Sequence, residues 1–350
     1  MPSSQPSWRT LSDCSTRTCT ATKTTVRSAS RSSMRRPIPS IMMSLPNMAI
    51  PPRSASRESL IDSRTWTTHV SAREQMMSNY QVEDLILEHD EKRIFGRIYL
   101  PDEAANGKRV PLVICAHGFG GNNESCEAYA REFAKRGYAA YCLDFCGAAN
   151  SKSSGDTSEM TIFTEQADME DSYTELAELG YVDLNNVFLF GMSMGGAVAA
   201  LAAANKSNLI KGLILLYPAF SIPGDVRRAW PNRDEFPESF GIFNAEVGRA
   251  FIEAIYDFDF YEHITKYAGP VLILHGMSDD IVASGYSVRA VNIYPRADLE
   301  LIGEVGHGFT GGAFKYAVRK IVGFLDEEAD LPDESGLNGD LNFKGGGMFG

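Results

Sequence analysis

Residues 186–205 constrain this chain more than any other stretch. They run through Val187-Phe188-Leu189-Phe190, then Gly191-Met192-Ser193-Met194-Gly195-Gly196, then an alanine-rich run to Ala204. The four bulky apolar residues suit a strand buried on both faces. The alanine-rich run is a strong helix former. The G-x-S-x-G sequence between them therefore predicts strand, tight turn, helix. Bulky side chains would crowd such a turn, and Gly191 and Gly195 let the strand and helix approach closely. The turn lifts the Ser193 hydroxyl above the helix N-terminus. There the helix dipole and free N–H groups favour a developing negative charge. The uncharged segment Phe188 to Ala204 is short for a membrane span, and its glycines argue against a continuous helix.

The surrounding chain alternates strands and helices. Val82 to Glu88 and Ile94 to Leu100 alternate apolar and polar residues, as antiparallel edge strands do. Buried strands are expected at Pro111–Ala116, Tyr138–Phe145, Gly212–Tyr217 and Val271–Leu274, with a further strand at Leu299–Glu304. Helices are expected at Glu124–Arg136, Thr164–Leu179, about Ser284–Tyr294, and Ala313–Glu327. This order predicts an α/β fold with a mostly parallel sheet, helices on both faces, and chemistry at the carboxyl ends of the strands. The alternation breaks at residues 221–268, a stretch rich in aromatics with a helical section near Ala245–Ile255. It is too long for a simple loop and reads as an insertion with structure of its own.

The 350 residues allow one large domain or two small ones. The net charge of −12 argues against a nucleic-acid partner. That charge is uneven. Residues 1–75 carry 11 Lys and Arg against 4 Asp and Glu, so they are basic while the rest of the chain is strongly acidic. They are rich in Ser, Thr, Arg and Pro, and are expected to be disordered. They read either as an organellar transit peptide or as an extension upstream of a domain that begins at Met76 or Met77. The domain is expected to span 76–328, followed by an acidic, glycine-rich, disordered tail over 329–350. Of the six cysteines, Cys115 and Cys142 fall in apolar runs, and none has C-x-x-C spacing. A disulfide framework and a zinc site are not expected, so a reduced, cytoplasmic setting is.

A serine hydroxyl is a weak nucleophile that needs a base, and the base needs an orienting acid. The stretches that could supply them are His117-Gly118-Phe119-Gly120-Gly121, His275-Gly276-Met277-Ser278-Asp279-Asp280 and Gly306-His307-Gly308-Phe309. Together with Gly191-Met192-Ser193-Met194-Gly195, and in this order, they resemble the α/β-hydrolases. From about Tyr80 to Leu325 the chain resembles the cinnamoyl/feruloyl esterase type, related to bacterial acyl hydrolases.

The resemblance implies an eight-stranded α/β-hydrolase fold and the chain order Ser, acid, His. Only His275 and His307 follow the strand Val271–Leu274, and His275 precedes the acid, which leaves His307. Asp279 and Asp280 are adjacent and cannot point the same way. Asp279 is expected to be the acid, with Asp280 in a solvated turn or a helix cap. The oxyanion donors implied are the backbone amides of Met194 and Phe119. In this family, the insertion after the sixth strand forms a small cap that receives an aromatic acid, which corresponds to about 221–268. Trp230 is the candidate for stacking on a phenolic ring, with Phe236, Phe240 and Phe243 nearby, against the alternative that these rings pack the cap's own core. The loop Cys146–Thr161 departs from the family pattern, with no histidine beside Gly147.

The activity implied is carboxylic ester hydrolysis through an acyl-enzyme, on hydroxycinnamoyl or other small acyl esters, with no cofactor and no metal. Serine peptidases of the prolyl oligopeptidase type share these motifs, but this chain has no room for their β-propeller. A small serine peptidase and a non-catalytic hydrolase fold used for binding are the alternatives. The expected partner is a small-molecule ester, with neither nucleic acid nor membrane. A homodimer is compatible with the chain.

Overall fold

Leu112, Val113, Ile114 and Cys115 are at most 1% exposed, and Phe188 and Phe190 are fully buried. Strands this apolar need cover on both faces, which only a sheet sandwiched between helix layers supplies. The computed structural model describes residues 79–242 and 245–330, and they form that arrangement. The expectations for residues 1–75, for 331–350 and for Phe243 lie outside the described residues.

The chain starts as an antiparallel pair, β1 (Tyr80–His89) and β2 (Lys92–Pro101), as the alternating pattern predicts. A helical turn α1 (Asp102–Ala105) leads into β3 (Val110–Ala116). A 3-10 turn and α2 (Glu127–Ala134) then connect to β4 (Ala139–Leu143). Next come α3 (Ile162–Ala177), β5 (Val182–Met192), α4 (Met194–Asn205) and β6 (Gly212–Leu216). The sheet order is β1-β2-β4-β3-β5-β6-β9-β10, where β9 is Val271–Gly276 and β10 is Ala297–Ile302. Pairing is antiparallel for β1/β2 and β2/β4, and parallel for the rest. This is the expected eight-stranded, mostly parallel sheet. β5 sits near its middle, so the serine that follows it stands at the centre of the carboxyl edge.

β5 is longer than its apolar run. Its front half carries Asp183, whose carboxylate accepts from the Asn185 amide and from Asn186 Nδ2, and the pairing with β3 shifts register there. Polar residues at a bulge conceal a strand that the sheet still uses.

The insertion contains α5 (Ile222–Ala229), a hairpin of β7 (Ser239–Ile242) and β8 (Ala245–Gly248), α6 (Arg249–Ile255) and α7 (Phe260–Ile264). The helix expected from Ala245 starts only at Arg249. Residues 245–248 are a strand instead, and a β-carbon on Gly248 would collide with the Ser158 carbonyl. That close passage, which local helix propensity does not register, keeps the chain extended until Gly248 caps α6. The chain closes with α8 (Gly285–Val291) before β10 and α9 (Gly311–Glu328) after it. Among the described residues, no helix is long and apolar enough to cross a membrane.

Candidate active site

The turn between β5 and α4 is as tight as its glycines require. A β-carbon on Gly191 would collide with the Gly195 carbonyl, and one on Gly195 with the His117 carbonyl. Ser193 itself has φ +53° and ψ −120°, a conformation L-residues rarely adopt. Such strain costs about 1–3 kcal/mol and persists only where the surroundings over-determine it. Here the Ser193 amide donates to the Leu216 carbonyl, while its carbonyl accepts from Gly196, Ala197 and Ala219. The backbone is clamped on both sides, and the hydroxyl points out of the turn.

His307 follows β10 and Asp279 follows β9. His307 Nε2 lies 3.0 Å from Ser193 Oγ, and its Nδ1 lies 2.8 Å from Asp279 Oδ2. The structure thus brings together the serine, histidine and aspartate selected from sequence, spanning residues 193 to 307. The Asp279 carboxylate is inaccessible to solvent. Its Oδ1 accepts from the Ile281 and Val282 amides. Burial by itself pushes its pKa up. Hydrogen bonds from His275, from His307 and from the Val282 amide overcome that and hold it well below the usual carboxylate range. Asp279 is therefore ionised at neutral pH, and its charge faces the imidazole. Asp280 is exposed in the turn, and α8 is preceded by Ser284 instead, so Asp280 is not its cap.

The loop after β3 lies against the serine. A β-carbon on Gly118 would stand 3.1 Å from Ser193 Cβ and 3.7 Å from its Oγ. The Gly118 carbonyl accepts from the Gly121 amide at 3.0 Å and from His117 Nδ1 at 2.8 Å. A trans peptide holds N–H and C=O on opposite sides, so these bonds turn the Phe119 N–H away from His117 and Gly121. The Met194 amide opens α4, where a helix leaves its N–H groups without an internal partner. Burial pulls the His117 pKa down, and its Nε2 accepts from the Phe145 amide at 3.3 Å. It is a neutral imidazole orienting a peptide. Its placement directly after β3 was the available signal.

The Cys146–Thr161 loop, which has no histidine beside Gly147, is firmly tied. Buried Asp144 accepts from the Asn123 amide and side chain at 2.6 and 2.7 Å, and from the Lys152 amide at 3.0 Å. Asn150 Nδ2 donates to the Gly120 carbonyl at 2.8 Å, so this loop braces the one that carries Phe119.

Two aromatic residues need comment. Tyr217 follows β6 with φ +37° and packs its ring 4.6 Å from the His307 imidazole and 5.1 Å from Phe309. Its hydroxyl reaches Met192 Sδ, just before the serine. Sequence reading missed it, because a tyrosine ending an apolar strand looks like ordinary core. Trp230 is 6% exposed and packs edge-to-face on Phe240 at 4.9 Å. Of its two expected roles, this contact is the one that packs the cap's own core. Among the described residues, no group of three or more His, Cys, Asp or Glu could hold a metal ion.

Comparisons with known proteins agree with this architecture. A family model described as serine aminopeptidase, S33, matches residues 107–240. A proline iminopeptidase of Chitinophaga pinensis is 30% identical over 110 residues, covering 31% of this chain and 36% of the relative. The chain thus matches about a third of that relative's length. An sn-1-specific diacylglycerol lipase of Danio rerio is 25% identical over 262 residues, covering 62% of this chain and 80% of the relative. Among solved structures, Est1E of Butyrivibrio proteoclasticus with ferulic acid bound superposes with a TM-score of 0.64 at 24% identity. That match covers 70% of this chain and 98% of the other.

Proposed function

We propose that this chain, which has the α/β-hydrolase fold, is a serine hydrolase cleaving carboxylic esters through an acyl-enzyme. The observation that carries this reading is one imidazole bonded on both sides, 3.0 Å from the Ser193 hydroxyl and 2.8 Å from an ionised Asp279. Ser193 Oγ attacks the ester carbonyl while His307 Nε2 takes its proton. The Asp279 carboxylate holds the Nδ1–H tautomer and stabilises the imidazolium that forms. The Phe119 and Met194 amides receive the oxyanion, each such donor being worth about 3–4 kcal/mol in the transition state. His307 then protonates the departing alcohol. Water deacylates Ser193 by the same proton path in reverse.

Hydroxycinnamoyl or other small acyl esters are the proposed substrates. Likeness in fold to Est1E, which has ferulic acid bound, supports this class. The second reading, a small serine peptidase, is favoured by the aminopeptidase family model and the iminopeptidase segment. Methyl ferulate, methyl p-coumarate, and p-nitrophenyl acetate and butyrate, assayed beside a prolyl p-nitroanilide, separate the two. The account expects turnover of the esters, lost in Ser193→Ala without loss of fold. Turnover of the anilide alone would establish the peptidase reading instead. Ester turnover retained by Ser193→Ala would remove the serine from the chemistry.

A further inference from the structure

His275 ends β9, ahead of the acid, and its sequence position assigns it no part in the chemistry. In the structure its side chain is wholly buried and meets three polar partners. Nε2 lies 2.8 Å from the Val282 carbonyl and 3.2 Å from Asp279 Oδ2, while Nδ1 lies 2.8 Å from the Ser287 hydroxyl. A carbonyl and a carboxylate only accept, so Nε2 carries a hydrogen and shares it between them. In the neutral ring, the Ser287 hydroxyl then donates to Nδ1. Asp279 Oδ2 is the same oxygen that faces His307 Nδ1. Two imidazoles thus meet on one carboxylate oxygen, one on the serine side and one from behind.

We propose that His275 is a positioning residue for hydrolysis, fixing the Asp279 carboxylate and sharing its charge so that His307 is aimed at Ser193. This rests on the reading of Ser193, His307 and Asp279 given above. An inaccessible carboxylate needs its lone pairs filled, and an unpaired one is expensive. The His275 Nε2–H fills one of them from behind, on the side away from Ser193. The bond to the Val282 carbonyl ties this donor to the residue whose amide also reaches Asp279 Oδ1. Ser287 anchors the far side of the ring to α8. The other charged or titratable groups around the carboxylate are His307, the Tyr217 phenol and exposed Asp280.

The test compares His275→Leu, which fills the space without a donor, with His275→Gln, which keeps an N–H. The readouts are kcat and KM on p-nitrophenyl acetate, the pH profile of kcat/KM, and near-UV circular dichroism for the fold. The Leu variant should lose about 10- to 100-fold in kcat with KM nearly unchanged, the scale set by slight misplacement of a reacting group. The acid limb of its profile should move to higher pH, because His307 no longer shares the carboxylate oxygen. The Gln variant should recover most of both. A folded Leu variant with unmoved kcat and acid limb would overturn the proposal, as would a Gln variant no better than Leu. Should the Leu variant not fold, Ser287→Ala decides, with a smaller shift in the same direction supporting the proposal and an unmoved limb rejecting it. Turnover surviving in Ser193→Ala would instead strike the underlying site reading, so the two failures are distinguishable.

Discussion

Glu165 is the most sharply testable residue outside the site. It lies in the first turn of α3 and is 0% exposed, and neither carboxyl oxygen has a hydrogen-bond partner among the described residues. Burial, and then the nearby Asp168 carboxylate, push its pKa well above the ordinary value of 4.5. The sign for stability follows. Below that value, both folded and unfolded chains hold the proton. As pH rises past it, the unfolded chain ionises while the folded chain keeps its proton, so stability falls until the folded-state pKa is passed. Glu165→Met replaces the carboxyl with an unbranched apolar group of similar length. Relieving a buried unsatisfied polar group should stabilise the protein by about 1–3 kcal/mol at neutral pH. At about 2–4 °C per kcal/mol for a domain of this size, Tm should rise by roughly 2–12 °C. Urea unfolding across the acid-to-neutral range gives the assay. The gain should be smallest below the ordinary carboxyl pKa and grow towards neutrality. Asp168 titrates in both proteins and cancels in the difference. A Met variant that loses stability increasingly from acid to neutral pH would refute the reasoning and show Glu165 ionised and paired in the fold.

Other predictions bear on the site. Gly195→Ala places a β-carbon 2.6 Å from the Ala116 carbonyl, and should destabilise by about 3 kcal/mol, the upper end for overpacking, in thermal or urea unfolding. Asp279→Asn should lower kcat on the order of 10⁴-fold, as loss of the correct tautomer does in a Ser-His-Asp system, with the circular dichroism unchanged. Tyr217→Ala should lower kcat by about 10- to 100-fold as the His307 ring loses its support, whereas Tyr217→Phe should keep most of it. Equal loss in the two Tyr217 variants would move the role from the ring to the hydroxyl.

The sheet and the three meeting side chains were legible because each leaves a local mark. Buried parallel strands are short apolar runs, and Ser193, Asp279 and His307 each sit in glycine-rich or turn-forming sequence just past such a run. What was hidden depends on partners distant in sequence. Ala245-Glu246-Val247 has ordinary helix propensity, and pairing with β7, together with the close passage of Gly248 beside Ser158, makes it a strand. The front of β5 is polar because Asp183 fastens a bulge. His275 and Tyr217 occupy the ends of apolar strands, where core packing is the default reading. Tyr217 meets His307 only once β6, β9 and β10 lie side by side, and His275 meets Asp279 only once the turn after β9 folds back on its strand. The role of His117 needs the orientation of a single peptide, which residue types do not encode.

The central claim is that Ser193 becomes covalently acylated. Intact-mass spectrometry on protein quenched during turnover of p-nitrophenyl butyrate, followed by peptide mapping, tests it directly. The account predicts one added butyryl group, located on Ser193, and none in His307→Ala quenched at the same time. Turnover with the acyl group on another residue, or a His307→Ala protein acylated as fast as the native chain, would contradict it.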